Sequence, residues 1–84
     1  MPFQVKVENS VNKRFGKLHP KHALQVARRM RDLENKPRPH DSIKLKGADN
    51  AFRVDVGEYR ILYEIDYDAQ VVTIYRLIQR GEGY

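Results

Sequence analysis

The sequence predicts an α+β domain in which an N-terminal strand and two helices pack on one face of a three- to four-stranded antiparallel sheet. Three observations lead to this fold class. A short alternating apolar run opens the chain, two stretches with helical apolar spacing follow it, and two hairpin patterns occupy the last third. With 84 residues, the chain is expected to form one domain, residues 1–84, with one thin core.

The predicted strand comes first and is followed directly by a short helix. Phe3, Val5 and Val7 alternate with polar residues, which is typical of a half-buried strand. Asn9 or Ser10 can cap the helix, because their short polar side chains can accept hydrogen bonds from its first backbone N–H groups. The apolar positions of this helix follow at i, i+4 and i+7: Val11, Phe15 and Leu18.

A second, longer helix is predicted after Pro20, a residue that suits the first helical turn. Its apolar residues form one stripe: Ala23, Val26, Ala27, Met30 and Leu33. Pro37 and Pro39 then interrupt helical structure and predict a linker. A short strand is expected after the linker, at residues 43–47.

The first hairpin pattern centres on the pair Gly57-Glu58, which suits a type II′ turn because the first central residue of that turn needs a positive φ. The turn would pair Val56 with Tyr59, Val54 with Ile61 and Phe52 with Tyr63. Opposed residues of antiparallel strands point to the same face, so these six residues would form one apolar face. The other face would carry four residues: Arg53, Asp55, Arg60 and Leu62. The three tyrosines expected on the apolar face are Tyr59, Tyr63 and Tyr75.

The second hairpin turns near residues 67–70, and two registers are compatible with its sequence. A two-residue loop would place Leu77 opposite Arg60 and would send Arg76 to the core, which is costly for a charge. A three-residue loop would place Arg76 opposite Arg60 and Ile74 opposite Leu62. We favour the second register because it keeps the arginines in water, Arg80 included. A slip by one residue would exchange the two faces of the strand.

Composition limits the possible functions. Sixteen Lys and Arg against eleven Asp and Glu give a net charge of +5, which favours a polyanionic partner. The absence of cysteine excludes disulfides, thiolate zinc sites and thiol catalysis. His19 and His22 have helical i, i+3 spacing but no third ligand nearby, so we expect no metal and no cofactor. No apolar run is long enough for a signal peptide or a membrane span, so we expect a cytoplasmic protein with no membrane partner.

Four short motifs occur in order along the chain, and together they resemble the RelE/ParE superfamily of bacterial and archaeal toxins. They are Leu45 to Gly47, Phe52 to Val54, Gly57 to Tyr63, and Arg80 to Tyr84. The resemblance covers nearly the whole chain and implies a microbial-ribonuclease-like fold. RelE-like members are ribosome-dependent endoribonucleases that cut mRNA in the ribosomal A site. The implied reaction is metal-independent and begins with attack of a ribose 2′-OH on the adjacent phosphate. The implied partners are a cognate RelB-like antitoxin, the ribosome and mRNA, with the antitoxin complex a hetero-oligomer.

The resemblance also implies roles for individual residues. Arg60 and Arg80 would clamp the scissile phosphate, since a guanidinium fork fits two phosphate oxygens. Arg53 would steady the phosphate or the leaving oxygen, and Tyr84 would stack on a base or take part in proton transfer. Three further basic residues would contact RNA: Lys44, Lys46 and Arg76.

Two departures from the superfamily pattern bear on catalysis. Gln79 stands where many members carry His or Lys, and Gln cannot act as a general base. Asp55 stands where some ribonuclease members have a second basic residue, and we expect it to pair with Arg60 across the hairpin, which makes it a poor proton acceptor. Two alternatives to the ribonuclease therefore stay open. One is a ParE-like poison of DNA gyrase that cuts no RNA, although ParE-like members tend to have longer helices. The other is a catalytically weakened homologue that still binds an antitoxin.

Overall fold

The computed structural model describes residues 2–82 and confirms the predicted fold class. Two helices, α1 (Asn9–Phe15) and α2 (Pro20–Asp32), pack on a five-stranded sheet. The strands are β1 (Gln4–Val7), β2 (Ile43–Lys44), β3 (Ala51–Val56), β4 (Tyr59–Asp66) and β5 (Val71–Gln79). Their order in the sheet is β1-β5-β4-β3-β2.

The sheet has more strands than expected and is mixed, because β1 pairs with β5 in parallel. The other three strand pairs are antiparallel. A parallel pair needs a long crossover between its strands, and here both helices and three strands lie between them. The alternating apolar residues of β1 predicted a strand, but they did not indicate which strand it pairs with. The partner, β5, lies more than sixty residues away in the chain.

The helix α1 begins one residue earlier than a cap at Asn9 would require. Its N-cap is Glu8, which has an extended backbone and makes no side-chain capping bond. The N–H of Glu8 donates to the Ile74 carbonyl at 3.0 Å, so the sheet ladder continues to this residue and fixes the start of the helix. The prediction of Asn9 or Ser10 as the cap was therefore wrong. Gly16 ends the helix.

The helix α2 begins at Pro20, as predicted, and its cap is a histidine. Nδ1 of His19 accepts a hydrogen bond from the Lys21 backbone N–H at 3.2 Å. The residues of the predicted stripe that become fully buried are Val26, Met30 and Leu33. They pack against the apolar face of β3, β4 and β5 and form the core with it.

The first hairpin has the predicted register along its whole length. Val56 pairs with Tyr59, Val54 with Ile61 and Phe52 with Tyr63. Gly57 has φ 57°, and no positive φ occurs at Glu58, as a type II′ turn requires. All six residues belong to the core or pack against it.

The register favoured for the second hairpin, with Arg76 opposite Arg60 and Ile74 opposite Leu62, was wrong. Its turn spans four residues, 67–70, so that Tyr63 pairs with Ile74. A β-bulge then shifts the pairing, and Leu62 faces Arg76 while Arg60 faces Ile78. Arg76 is nevertheless exposed to solvent, because the extra residue at Tyr75 turns the rest of β5 by one position.

A buried tyrosine of the sheet holds the linker between α2 and β2 by a hydrogen bond. The Tyr63 hydroxyl donates to the Pro37 carbonyl at 2.7 Å. Burial raises the pKa of Tyr63 to about 12. The Arg38 guanidinium lies 4.9 Å from the centroid of the Phe52 ring, and Arg29 pairs with Asp41 at 2.5 Å. Neither helix of the described chain has the length and apolar character needed to cross a bilayer.

Candidate nucleic-acid interface

The face of the sheet opposite the helices, which we call the arginine face, brings together side chains from three strands. Pairing places Arg53, Leu62 and Arg76 in one row, and Asp55, Arg60 and Ile78 in the next. Residues two apart along a strand are separated by about 7 Å, so the two rows are neighbours. The sequence predicted that Arg53, Arg60 and Arg76 would share one face, and the structure places them so.

Asp55 joins two of these arginines. Its Oδ1 lies 3.3 Å from Nε of Arg53 and 3.8 Å from Nε of Arg60. The two arginine side chains are only 15% and 25% exposed, whereas Asp55 is 50% exposed. The expected pair between Asp55 and Arg60 is confirmed, and Arg53 joins the same carboxylate. A shared carboxylate orients both guanidinium groups and offsets one of their two charges.

Two apolar side chains in the rows of the arginine face are buried. Leu62 is 3% exposed and Ile78 is 2% exposed. Leu62 lies in the row between Arg53 and Arg76, and Ile78 lies beside Arg60. The aliphatic stems of arginine can cover apolar surface while the guanidinium groups stay in water. The low exposure of the Arg53 and Arg60 side chains shows that they are packed on this face.

A groove of about 490 Å³ lies on the β2 side of the arginine face. We call this concavity the groove, and it is lined by Ile43, Lys44, Leu45, Lys46, Arg53, Leu62, Tyr75 and Arg76. Three of these residues were predicted to bind RNA: Lys44, Lys46 and Arg76.

A larger concavity of about 820 Å³ contains four carboxylates, which would repel a phosphate. They are Asp49, Glu64, Asp66 and Asp68.

The two lysines do not sit on one strand as predicted. The strand β2 covers only Ile43–Lys44, and Lys46 lies beyond it. Lys44 pairs with Phe52, whose side chain belongs to the core on the helix side of the sheet. Ile43 pairs with Arg53, which lies on the arginine face. Lys44 still contributes to the groove because β2 is an exposed edge strand.

Tyr75 is the clearest functional candidate that the sequence reasoning missed. The apolar face was predicted for it, but it lines the groove beside Leu62 and Arg76. A signal was present in the spacing of β5, where the buried residues Val72 and Ile74 are followed by Leu77 after a step of three. A step of three breaks the two-residue period of a strand and is typical of a bulge.

The predicted clamp residue Arg80 lies just past the end of β5. Its backbone N–H donates to the Glu58 carbonyl at 2.5 Å, so it sits at the turn of the first hairpin. It follows two residues after Ile78, the partner of Arg60, in the turn beyond the strand. Tyr84, the fourth predicted catalytic residue, lies outside the described residues.

An ion pair between distant parts of the chain holds the segment that carries Arg80. The two terminal nitrogens of Arg14 donate to the two carboxylate oxygens of Glu82. The N–H of Gln79 also donates to Oε1 of Glu82, at 2.7 Å. The hydrogen bonds from Arg14 lower the pKa of Glu82, and the same contact raises the pKa of Arg14. No local pattern could reveal this pair, because its members are 68 residues apart.

Two of the histidines make local contacts at the start of α2. His19 caps α2, and the ring of His22 lies 5.5 Å from that of Tyr59. Within residues 2–82, histidine and carboxylate side chains form no group of three that could hold a metal ion.

Comparison with known proteins assigns the family. A small α+β protein with a basic sheet face is the class that the fold and site define. The model of the family described as ParE toxin of type II toxin–antitoxin system, parDE, matches residues 5–84. The chain therefore belongs to this family, within the RelE/ParE superfamily. RelE1 of Methanocaldococcus jannaschii is 30% identical over 86 residues, covering 99% of this chain and 94% of that protein.

Solved structures agree with the family assignment. The RelE–RelB complex of Pyrococcus horikoshii OT3 contains a chain 30% identical to this one, with a TM-score of 0.87, covering 99% of this chain and 100% of that chain. The RelBE2 toxin–antitoxin complex of Mycobacterium tuberculosis gives 27% identity and a TM-score of 0.83, covering 95% and 100%. The isolated RelE toxin of E. coli has a TM-score of 0.83 at 17% identity, covering 96% and 87%, and shares the fold.

Proposed function

We propose that this chain is the toxin of a type II toxin–antitoxin pair and acts as a ribosome-dependent endoribonuclease that cuts mRNA in the A site. One observation carries the proposal: Arg53 and Arg60 flank a single carboxylate oxygen on the solvent side of the sheet, with Arg76 in the same row as Arg53. A cluster of guanidinium groups held by packing is suited to bind a phosphate diester and to stabilise extra charge on it.

In the proposed reaction, the 2′-oxygen of one nucleotide attacks the neighbouring phosphorus and the bond to the 5′-oxygen breaks. The products are a 2′,3′-cyclic phosphate and a free 5′-hydroxyl, so one proton leaves the 2′-OH and one reaches the 5′-oxygen. Arg60 and Arg80 clamp the phosphate, and Arg53 steadies it. No metal is needed, since the guanidinium groups supply the positive charge that opposes the phosphorane.

Neither Asp55 nor Gln79 is suited to carry out the proton transfers of this reaction. Asp55 is already the partner of two arginines, and Gln79 has no ionisable group. Tyr84 keeps the proposed role of base stacking or proton transfer. We therefore assign the arginines to charge stabilisation, and we expect binding on the ribosome to supply the orientation of the attacking hydroxyl.

The proposed partners are a RelB-like antitoxin, the ribosome and mRNA, which would meet in the cytoplasm. Support for the antitoxin comes from two solved structures above 25% identity, both of which are toxin–antitoxin complexes. An antitoxin segment that covers the arginine face or shifts the segment carrying Arg80 would keep the toxin inactive.

A second candidate is a ParE-type poison of DNA gyrase, because the family model that matches is that of the ParE toxins. The short helices, of 7 and 13 residues, and the arginine cluster favour the ribonuclease. Sequence relatives carrying the RelE name favour it too.

One experiment separates the two candidates. The protein is induced in cells, mRNA 5′ ends are mapped, and gyrase-linked DNA breaks are assayed in the same cultures. We expect cuts inside translated codons, reduced about 100- to 1,000-fold in Arg60→Ala and Arg80→Ala, because each variant removes a donor to the developing charge. DNA breaks without mRNA cuts would select the gyrase poison.

Two further variants make the experiment specific. Arg60→Lys keeps the charge and loses the fork, so it should recover part of the activity. Arg28→Ala removes an exposed arginine of α2 and should cleave like the parent. Full cleavage by both Arg60→Ala and Arg80→Ala would refute the assigned roles.

A further inference from the structure

The bulge in β5 changes where one aromatic ring points. Tyr63 pairs with Ile74 and Leu62 pairs with Arg76, so Tyr75 is the extra residue of the bulge. Two residues on the bulged strand then oppose Leu62, and a bulge of this kind redirects a side chain. Tyr75 accordingly lines the groove together with Leu62 and Arg76.

The groove combines an apolar floor with a basic rim. Leu62 is 3% exposed and Tyr75 is half-buried, whereas Ile43 is 48% exposed at the open edge of the sheet. The rim carries four cations and no carboxylate: Lys44, Lys46, Arg53 and Arg76. Its volume of about 490 Å³ lies within the range of about 300–1,000 Å³ that is usual for ligand sites.

We propose that the groove binds a nucleobase next to the phosphate held by the arginine cluster, with the ring of Tyr75 as its stacking platform. This inference rests on the proposed function, since it takes RNA as the ligand. Arg53 connects the two sites, because it lines the groove and also shares the Asp55 carboxylate with Arg60. A nucleotide places its phosphate and its base side by side in the same way.

Charge complementarity decides in favour of a nucleotide over an apolar side chain of a protein partner. A protein side chain could fill the floor, but it would bring no anion to a rim that carries Lys44 and Lys46 in addition to its arginines. Single-stranded nucleic acid matches both parts, since bases stack on aromatic rings while the backbone follows basic residues. The Tyr75 hydroxyl is neutral at physiological pH because the ordinary tyrosine pKa is about 10, and burial raises the pKa of Tyr75 further.

The consequence is a preference at one nucleotide position beside the cleaved linkage. Stacking tolerates every base but is stronger for larger rings, so this position should prefer a purine to a pyrimidine. Cleavage at codons would then show a bias that belongs to the toxin and is independent of its phosphate contacts.

The test measures binding of the full chain to fluorescein-labelled 2′-O-methyl hexaribonucleotides, which cannot be cleaved, by fluorescence anisotropy at low salt. An abasic residue is placed at each position in turn. For the parent protein, one position should be sensitive to loss of its base. Tyr75→Ala should bind the intact oligonucleotide about five- to hundredfold more weakly and should no longer distinguish the abasic oligonucleotide at that position.

Three variants accompany this measurement. Tyr75→Phe keeps the ring and should bind like the parent. Tyr75→Leu keeps apolar bulk without the ring and should bind weakly, which preserves the test if Tyr75→Ala fails to fold. Tyr67→Ala removes a tyrosine that is 47% exposed and does not line the groove, and should leave binding unchanged.

Several results would overturn the subsite. They are parent-like binding by both Tyr75→Ala and Tyr75→Leu, an equal loss at every abasic position, or no measurable binding by the parent. Weaker binding to a co-expressed antitoxin with unchanged binding to RNA would instead make the groove a protein-docking site. Failure of the proposed function gives a different pattern: no mRNA cuts in cells, with the base dependence intact.

Discussion

The hairpin of β3 and β4 is regular from end to end, whereas the hairpin of β4 and β5 changes register halfway along. In the regular hairpin, every residue faces one partner, and Asp55 stands directly opposite Arg60. In the other, a bulge at Tyr75 separates the pair Tyr63–Ile74 from the pair Leu62–Arg76.

The difference shows how one sheet supplies both an arginine cluster on a regular hairpin and a groove wall on a bulged strand. The regular hairpin holds Arg53 and Arg60 around one carboxylate at distances set by strand geometry. The bulge lets Leu77 return to the core while Tyr75 and Arg76 stay beside Leu62. A strand without the bulge could not satisfy both demands, because its faces alternate strictly.

The largest expected effect comes from deleting one residue in each hairpin. Deletion of Arg53 would exchange the faces of part of β3 and move core residues into water, so we expect loss of cooperative folding, at a cost of more than about 5 kcal/mol. Deletion of Tyr75 leaves all other pairs of β4 and β5 compatible with a regular ladder. It should therefore cost only about 1–3 kcal/mol of unfolding free energy.

Urea unfolding followed by circular dichroism measures both deletions. Two deletions with equal cost would contradict the distinction between the hairpins. The Tyr75 deletion also removes the proposed stacking ring, so its RNA binding should match that of Tyr75→Ala.

The second effect concerns Tyr63, the β4 residue that faces Phe52 in one hairpin and Ile74 in the other. Its folded pKa is raised to about 12, above the usual value of about 10. The neutral form is thus favoured by folding, and the associated stability is complete below about pH 10 and lost as the pH rises through about 12. The unfolding free energy should fall by roughly 2–3 kcal/mol over this window.

Tyr63→Phe tests this dependence, because it removes the titrating group along with the bond to Pro37. Its unfolding free energy should decline less between pH 10 and 12 than that of the parent. Tyr67→Phe, at an exposed site, should follow the parent. A steep decline that persists in Tyr63→Phe would assign the alkaline effect to other groups.

The smallest effect concerns the end of the bulged hairpin, where Glu82 links Gln79 to Arg14. The pKa of Glu82 is lowered in the folded chain, so its contribution is present above the ordinary glutamate pKa and is lost as the pH falls through the folded value. Because both partners are well exposed, Glu82→Gln should lower Tm at neutral pH by no more than about 2 °C.

The two proteins should converge in Tm as acid protonates Glu82 in the parent. Glu58→Gln, at the exposed turn of the first hairpin, is the matched control and should show no such convergence. A constant difference between Glu82→Gln and the parent down to the lowest pH would mean that the ion pair does not act as inferred.

Local chemistry explains which features could be predicted from the sequence. Gly57 demands a positive φ, and that single turn fixes all the pairs of the first hairpin and the shared face of Arg53 and Arg60. Pro20 likewise fixes the start of α2. In both cases the residues that decide the structure are adjacent in the chain.

The sequence alone determined the fold class, the regular hairpin and the arginines that share its outer face, because turn residues and strand alternation act over a few positions. Only the tertiary structure decided the parallel pairing of β1, the position of Tyr75 and the ion pair of Arg14 with Glu82. Each of these depends on contacts between distant segments. For β5, the need to bury Val72 and Ile74 together with Leu77, while Arg76 stays in water, selected a bulge in place of either regular register.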